Sequence, residues 1–321
     1  MDKKIKAYVV LPCYNEEEVL HETCRQLLGV FDEMKSEGLI TDSSRIVFVD
    51  DGSKDRTWPI IDELQEQYTE VEGVKLAHNV GHQNALFGGL MTVRSECDCA
   101  ISIDADLQDD IHVIPDMIRK FRDEGCEIVY GVRSKRDTDT FFKRTTALGF
   151  YKIMKVMGVD MVYNHADYRL MGRRALEGLS EFKERNLFLR GMVPLIGYKS
   201  DFVYYERNER FAGESKYPLK KMISFAFDGI TSFSINPIRT ISTVGTLACI
   251  FAVIMAVYAI VQKILGHAGS GWASLMCSIW FIGGLQLLGV GLIGEYIGKM
   301  YKEVKRRPRY IVEKYTGKDI D

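Results

Sequence analysis

Asp104 and Asp106 stand two residues apart, with Gln108 after them, directly behind the apolar run Ala100–Ile103. Carboxylates so spaced at a strand end can share a hard cation, and Mg2+ is usually held by one or two carboxylates plus substrate phosphates. A cation there would neutralise a diphosphate as it leaves. A second acidic group, Asp50-Asp51-Gly52-Ser53, follows the run Ile46–Val49. Its carboxylates can accept hydrogen bonds from the N–H of a base or from ribose hydroxyls; Asp50 or Ser53 can equally cap the next helix. A third group, Pro12-Cys13-Tyr14-Asn15-Glu16-Glu17, offers an aromatic face for a base and a carboxylate beside it, or a cap from Asn15.

Three such clusters act together only if a scaffold brings them to one edge. Ala7–Leu11, Arg45–Val49, Val74–Ala77, Ala100–Ile103 and Ile128–Tyr130 read as buried parallel strands, being short, rich in β-branched residues and bounded by turn residues. Glu17–Phe31, Trp58–Tyr68, Asn84–Arg94 and Pro115–Glu124 carry apolar residues at helical spacing. Strand–helix alternation of this kind predicts a doubly wound α/β sheet. Such sheets bind ligands at the carboxyl ends of their strands, where all three clusters fall.

The chain has 321 residues, enough for one large domain and an appendage, and 46% hydrophobic residues supply a core. A net charge of −2 argues against a nucleic-acid partner. Seven cysteines without a Cys-x-x-Cys spacing predict reduced thiols rather than a disulfide scaffold or zinc knuckle. Met1–Lys6 leads straight into a short apolar run, which is no signal-peptide pattern.

Composition changes near residue 235. Neither Thr240–Gln262 nor Ala268–Gly294 contains a charged residue, and at about 1.5 Å per residue each can cross a hydrocarbon core of about 30 Å. Two transmembrane helices, about 240–262 and 268–294, are expected as a hairpin. Gly283, Gly284, Gly289, Gly291 and Gly294 suit close packing in lipid and allow a homo-oligomer. Lys220, Lys221 and Arg239 precede the first span, and a tail from Lys299 to Arg309 with Glu303 as its one acidic residue follows the second. The positive-inside bias puts both termini and the α/β domain in the cytoplasm, on the inner (plasma) membrane. The mixture of Lys220 and Lys221 with Met222, Phe225, Phe227 and Phe233 suggests an interfacial amphipathic segment, with a plain domain-packed helix as the alternative. The expected organisation is a catalytic domain over 1–217, an interfacial segment over 218–239, and two spans with a basic cytoplasmic tail over 240–321.

Pro12-x-Tyr14-Asn15-Glu16, Val49-Asp50-Asp51-Gly52-Ser53-x-Asp55 and Asp104-Ala105-Asp106-Leu107-Gln108 together resemble the inverting family-2 glycosyltransferases of GT-A fold. Asn79-x-Gly81 through Gly88-Gly89, Gly131-x-Arg133, Asp167-Tyr168-Arg169 and Arg210-x-x-Gly213-Glu214-Ser215-Lys216 resemble later motifs of the branch that glycosylates polyprenyl phosphates. That branch includes the dolichol-phosphate mannose synthases and the bactoprenol glucosyltransferases, and the resemblance covers most of the chain. It implies a GT-A (Rossmann-like) mostly parallel sheet with helices on both faces, followed by the transmembrane hairpin. It also implies a nucleotide-sugar donor and a polyprenyl (undecaprenyl) phosphate acceptor at the bilayer.

By that similarity Pro12, Tyr14, Glu16 and Asp51 would hold the nucleoside, and Asp104 and Ala105 would lie along the ribose and diphosphate. Asp106 and Gln108 would bind Mg2+ or Mn2+, and Arg133, Arg210, Ser215 and Lys216 would contact phosphates. Asp167 sits where the family places its proposed base; it would orient the acceptor or accept a residual proton, a local salt bridge being the other reading. Lys143 and Arg144 are candidates for the lipid phosphate, or an ordinary basic helix face. Where the family often has a basic residue after Asn-x-Gly, this chain has His82-Gln83-Asn84, which leaves the contacts there open.

UDP is the expected carrier, with glucose or N-acetylglucosamine as the sugar; a GDP-mannose-dependent polyprenyl-phosphate mannosyltransferase and a catalytically silent nucleotide-sugar-binding scaffold are the alternatives. A processive polysaccharide synthase would need Gln-x-x-Arg-Trp, and a P-loop nucleotidase Gly-Lys-Ser/Thr; the chain has neither. A phosphotransferase with an Asp nucleophile would leave the other acidic strand ends unexplained.

Overall fold

The computed structural model describes residues 4–134, 165–206, 231, 234, 236–265 and 271–317. The chain divides into two compact units: one holds the sheet and includes the chain from Arg307 onward, and the other holds two long helices.

The sheet has eight strands, β1 (Ala7–Cys13), β2 (Arg45–Asp50), β3 (Val71–Leu76), β4 (Cys99–Ser102), β5 (Ile128–Arg133), β6 (His165–Gly172), β7 (Ser200–Tyr205) and β8 (Val312–Tyr315). Their order is β7-β5-β6-β4-β1-β2-β3-β8. β6 and β8 run antiparallel to their neighbours, and the other pairs are parallel. The helices of this unit are α1 (Leu20–Ser36), α2 (Thr57–Gln67), α3 (His82–Val93), α4 (Ile114–Glu124), α5 (Arg173–Ser180) and α6 (Leu189–Leu195).

Every residue of β1 is buried, as expected for a parallel strand covered on both faces. Its alternate residues Ala7, Val9, Leu11 and Cys13 share a core with Leu20, Cys24, Leu27 and Phe31 of α1. Val10 points the other way, to α3. A Cβ on Gly89 of α3 would lie 2.5 Å from Val49 and 2.8 Å from Val10, so α3 packs closer than any side chain would permit. Helices therefore cover both faces, and the fold is the mostly parallel α/β sheet that the GT-A resemblance implies.

All five expected strands are present. β1, β2 and β5 run further toward their carboxyl ends than the apolar runs suggest, which brings Cys13, Asp50 and Arg133 into the sheet. β6, β7 and β8 were not expected. β8 also changes the account of the basic tail: Lys299–Lys305 is the last part of the long helix Trp272–Lys305, and the chain from Arg307 belongs to the sheet unit, where Val312–Tyr315 pairs with β3. Ala77 donates its N–H to the Ile311 carbonyl (3.0 Å), Gly73 donates to Thr316 Oγ1 (2.8 Å), and the Tyr315 hydroxyl donates to Glu72 (2.7 Å). Before the strand, Arg309 stacks 4.5 Å from the centre of the Phe87 ring, and Tyr310 meets that ring edge-on at 6.2 Å.

The second unit contains α7 (Asn236–Ile264, 29 residues) and α8 (Trp272–Lys305, 34 residues). α7 starts inside the expected interfacial segment; the rest of 218–239, apart from residues 231 and 234, lies outside the described residues. α8 does not stop with the uncharged stretch at Gly294. It continues to Lys305 and ends where Arg306 turns left-handed (φ 49°), just before Arg307-Pro308. Proline disfavours helical backbone in the residue before it, so sequence chemistry, not polarity, sets this end. Tyr296 of α8 donates to the Ser234 carbonyl (2.5 Å) and Lys299 to Thr231 (2.5 Å). The apolar stretch Asn236–Gln262 has a mean hydropathy of 2.6 and no buried residue among the described ones. That much outward apolar surface calls for a lipid or protein cover.

Candidate active site

Because β1, β2, β4 and β5 all point the same way, the segments that follow them meet at one edge of the sheet. Antiparallel β6 begins at that edge, with Arg169 in register with Ser102, and the Ser102 hydroxyl donates to the Asp167 carbonyl (2.6 Å). Topology thus adds Asp167 to the three acidic clusters.

The first two clusters are tied to each other. Asn15 adopts a left-handed backbone (φ 55°); its N–H donates to Ser53 Oγ (3.0 Å), and its side chain accepts from Lys54 N–H (2.9 Å). Glu16 N–H donates to Thr57 (2.9 Å), and Ser53 N–H to Asp50 (3.1 Å). The capping readings of Asn15, Asp50 and Ser53 fail, because α1 starts at Leu20 and α2 at Thr57, each without a side-chain cap; these side chains tie the loops together instead. Pro12 lies within β1, and Tyr14 stands exposed beyond it. Asp51 is buried, and its two oxygens accept the N–H groups of Val80 (2.7 Å) and Gly81 (3.0 Å). Burial pushes its carboxyl up despite those two donors. Asp51 thereby joins the β2–α2 loop to the loop that leads into α3.

Gly52 makes that junction possible. Its φ is +65°, and an added Cβ would sit 2.7 Å from Asn79 N. Gly52→Ala should cost about 2 kcal/mol or more, from left-handed strain plus a backbone clash. Urea unfolding would show the loss; unchanged stability would contradict the close approach.

The third cluster is held from behind. Ala105 is buried and its carbonyl accepts from Thr23 (2.8 Å). Leu107 takes a left-handed backbone (φ 56°), and Gln108 N–H donates to Asp106 (3.2 Å). Asp106 and Gln108, both partly exposed, offer a carboxylate and an amide oxygen, a hard donor set that fits Mg2+ or Mn2+. Asp109 is buried and accepts from Arg133 (2.9 Å) and the Tyr205 hydroxyl (2.5 Å). Arg133, expected at a phosphate, therefore already holds an internal carboxylate.

Asp167, 7% exposed, is bonded by Arg169 and by Arg190, whose Nη2 lies 3.2 Å from Oδ2. His82 at the start of α3 reaches toward Asp104 (3.4 Å) and Asp167 (3.8 Å). Burial alone would raise the Asp167 carboxyl, but Arg190, Arg169 and His82 outweigh it and hold the group well below the usual carboxylate range. A carboxylate so stabilised is a weak proton acceptor at neutral pH.

The model of glycosyl transferase family 2 matches residues 8–180. This chain belongs to that family. The uncharacterized glycosyltransferase YkoT of Bacillus subtilis (strain 168) is 58% identical to this glycosyltransferase over 305 residues, 95% of this chain and 90% of the relative. The prophage bactoprenol glucosyl transferase homolog of Escherichia coli (strain K12) is 40% identical over 315 residues, 97% of this chain and 99% of the relative. Among solved structures, the mannosyltransferase PcManGT from Pyrobaculum calidifontis, in complex with GDP-Man and Mn2+, gives a TM-score of 0.45 at 15% identity, over 95% of this chain and 89% of that one.

Several expected site residues of the glycosyltransferase, Lys143, Arg144, Arg210, Ser215 and Lys216, lie outside the described residues. Sequence reading missed Arg190, Asp109 and Tyr205, and met His82 only as a departure from the family pattern. His82 and Arg190 close around Asp104 and Asp167 only once α3, β6 and α6 are folded together.

The Asp104 carboxyl is pushed up to about 6, chiefly by removal from water; His82 pulls it down, while Asp109, Asp167 and Asp106 push it further up. A raised carboxyl pKa means the folded state binds the proton more tightly than the unfolded one. Its stabilisation is therefore present below the unfolded value of about 4 and lost as pH rises through about 6. With the side chain 39% exposed, solvent reduces the loss to about 1 kcal/mol. In EDTA, Asp104→Asn should match wild type near pH 4 and melt higher above about pH 7. A variant that melts lower at both would contradict this sign.

Proposed function

We propose that this glycosyltransferase moves a sugar from a nucleotide-sugar, UDP-glucose or UDP-N-acetylglucosamine, onto polyprenyl phosphate at the cytoplasmic face of the plasma membrane, with inversion at the anomeric carbon. The observation that carries the reading is one chain combining an acidic strand-end site with an apolar helical hairpin, matched along its length by relatives named for bactoprenol glucosyl transfer. Tyr14 and Glu16 flank the nucleoside, Asp51 contributes the acceptor capacity its two backbone bonds leave, and Asp104 lies along the ribose and diphosphate. A divalent cation held by Asp106 and Gln108 would neutralise charge on the departing nucleoside diphosphate.

The acceptor needs no strong base. A phosphate monoester has a second pKa of roughly 6 and is largely anionic near neutral pH. The protein's work is then positioning and charge compensation. Asp167, kept ionised by two arginines, orients Arg190 at the site rather than taking a proton. In this reading residues 1–217 are the catalytic domain, and α7 and α8 are its anchor. The basic residues at the carboxyl end of α8 favour the cytoplasm for that end of the helix.

The phosphate requirement is the test. Undecaprenyl phosphate should be glycosylated, undecaprenol should not, and the rate should rise through about pH 6 as the acceptor ionises. Equal turnover of the neutral alcohol would overturn the reading.

A further inference from the structure

Behind the Asp106–Gln108 loop lies a polar arrangement that the transfer reaction itself does not use. Asp109 is 2% exposed and Tyr205 3%. The Asp109 carboxylate accepts hydrogen bonds from the Tyr205 hydroxyl at 2.5 Å and from an Arg133 N–H at 2.9 Å, while Arg133 Nε donates to the Tyr205 oxygen at 3.3 Å. Arg133 and Tyr205 are in register at the carboxyl ends of β5 and β7, so two strands present one clamp to a single carboxylate. From β6, the Tyr168 hydroxyl donates to the Asp110 carbonyl (3.0 Å), and its ring meets that of Tyr205 edge-on at 5.4 Å. Asp110 in turn accepts His112 N–H (3.0 Å), fixing the start of the next helical turn.

The loop between β4 and this anchor is short and strained. Leu107, a γ-branched residue, is held left-handed between the two expected ligands, a strained conformation that persists only if its surroundings enforce it. Ala105, bonded to Thr23, is the fixed point on one side, and Asp109 is the fixed point on the other.

We propose that Asp109, Arg133 and Tyr205 are positioning residues that hold Asp106 and Gln108 in the geometry a divalent cation requires, and that this is the principal role of Arg133. The inference rests on the reading of Asp106 and Gln108 as ligands. Outer groups that orient metal ligands typically change metal affinity 10–100-fold when removed. Tyr205 stays a hydroxyl donor, since burial pushes its pKa far up.

The test is Mn2+ binding by electron paramagnetic resonance, using the full-length protein in nanodiscs without nucleotide, together with amide exchange of residues 105–110 in EDTA. Arg133→Gln strands a buried carboxylate and risks unfolding, so Tyr205→Phe, which keeps the ring against Tyr168, is the milder variant. Tyr205→Phe should weaken Mn2+ binding about tenfold and speed exchange in the loop. Arg133→Gln, where folded, should do the same, and its effect should be non-additive with Asp109→Asn. Unchanged Mn2+ affinity and unchanged exchange in Tyr205→Phe, with wild type binding normally, would overturn the clamp alone. Loss of nucleotide binding in EDTA on Arg133→Gln, with Mn2+ affinity kept, would return Arg133 to the phosphates and overturn its assignment here. Wild-type protein that binds no Mn2+ would instead sink the metal reading on which the inference rests.

Discussion

Asp106→Ala is expected to reduce sugar transfer about a thousandfold, roughly 4 kcal/mol of transition-state stabilisation, and to leave the fold intact. Both halves follow from its position. Asp106 is partly exposed in the loop between β4 and α4, and its side chain accepts the N–H of Gln108 two residues on. Substitutions at partly exposed loop positions usually change stability by no more than about 0.5 kcal/mol, so the melting transition should hardly move. The lost carboxylate, however, is the charged member of the proposed cation pair. Initial rates at saturating donor, measured beside a thermal melt, separate the two effects. A folded Asp106→Ala protein within tenfold of wild type and still sensitive to EDTA would place the cation elsewhere.

Asp167→Ala should behave in the opposite way, as a stability variant first. Asp167 is 7% exposed and bonds Arg169, which is 1% exposed, so removing the carboxylate leaves a buried guanidinium charge without its partner. Breaking such a pair costs about 3–5 kcal/mol, whereas replacing both members with apolar residues is often neutral. Asp167→Leu combined with Arg169→Met should therefore recover much of the stability lost in Asp167→Ala, but not the activity. The folded-state pKa of Asp167 is depressed, so its stabilisation is present above the unfolded value of about 4 and lost as pH falls below it. The milder Asp167→Asn should slow turnover without removing any limb of the pH–rate profile. Disappearance of an acidic limb in that variant would restore Asp167 as the base.

These two residues also show what was legible in the sequence. Asp106 sits after an apolar strand, and its chemistry can be read from spacing alone. Asp167 was recognised by motif, but its environment was not. β6 carries Asp167 and Arg169 inside a buried strand, where two charges break the apolar run that betrays a parallel strand; they are tolerable only because each neutralises the other. Arg190 follows Leu187-Phe188-Leu189 with no spacing that ties it to a strand separated from it by α5, so its approach to Asp167 is a product of tertiary folding.

β8 was hidden for a different reason. Its four residues follow a dense basic stretch that reads as a solvated tail, and only the unpaired edge of β3 explains why the chain returns there. The two apolar helices were plain from composition. Their ends were not: α7 begins before the charge-free stretch, and α8 outlasts it until Pro308. Asp109 looked like one more acidic residue in a loop rich in them. What distinguishes it is burial against Arg133 and Tyr205 from two other strands.

The central claim is that the acidic edge of this sheet transfers sugar to a lipid phosphate. The most direct measurement is transfer of radiolabelled sugar by the purified protein in nanodiscs, offered undecaprenyl phosphate, Mg2+ or Mn2+, and a panel of UDP- and GDP-sugars. The account predicts a labelled, chloroform-soluble product from one donor, abolished by EDTA and restored by the added cation. A folded protein that still binds nucleotide but yields no lipid product with any donor would contradict it.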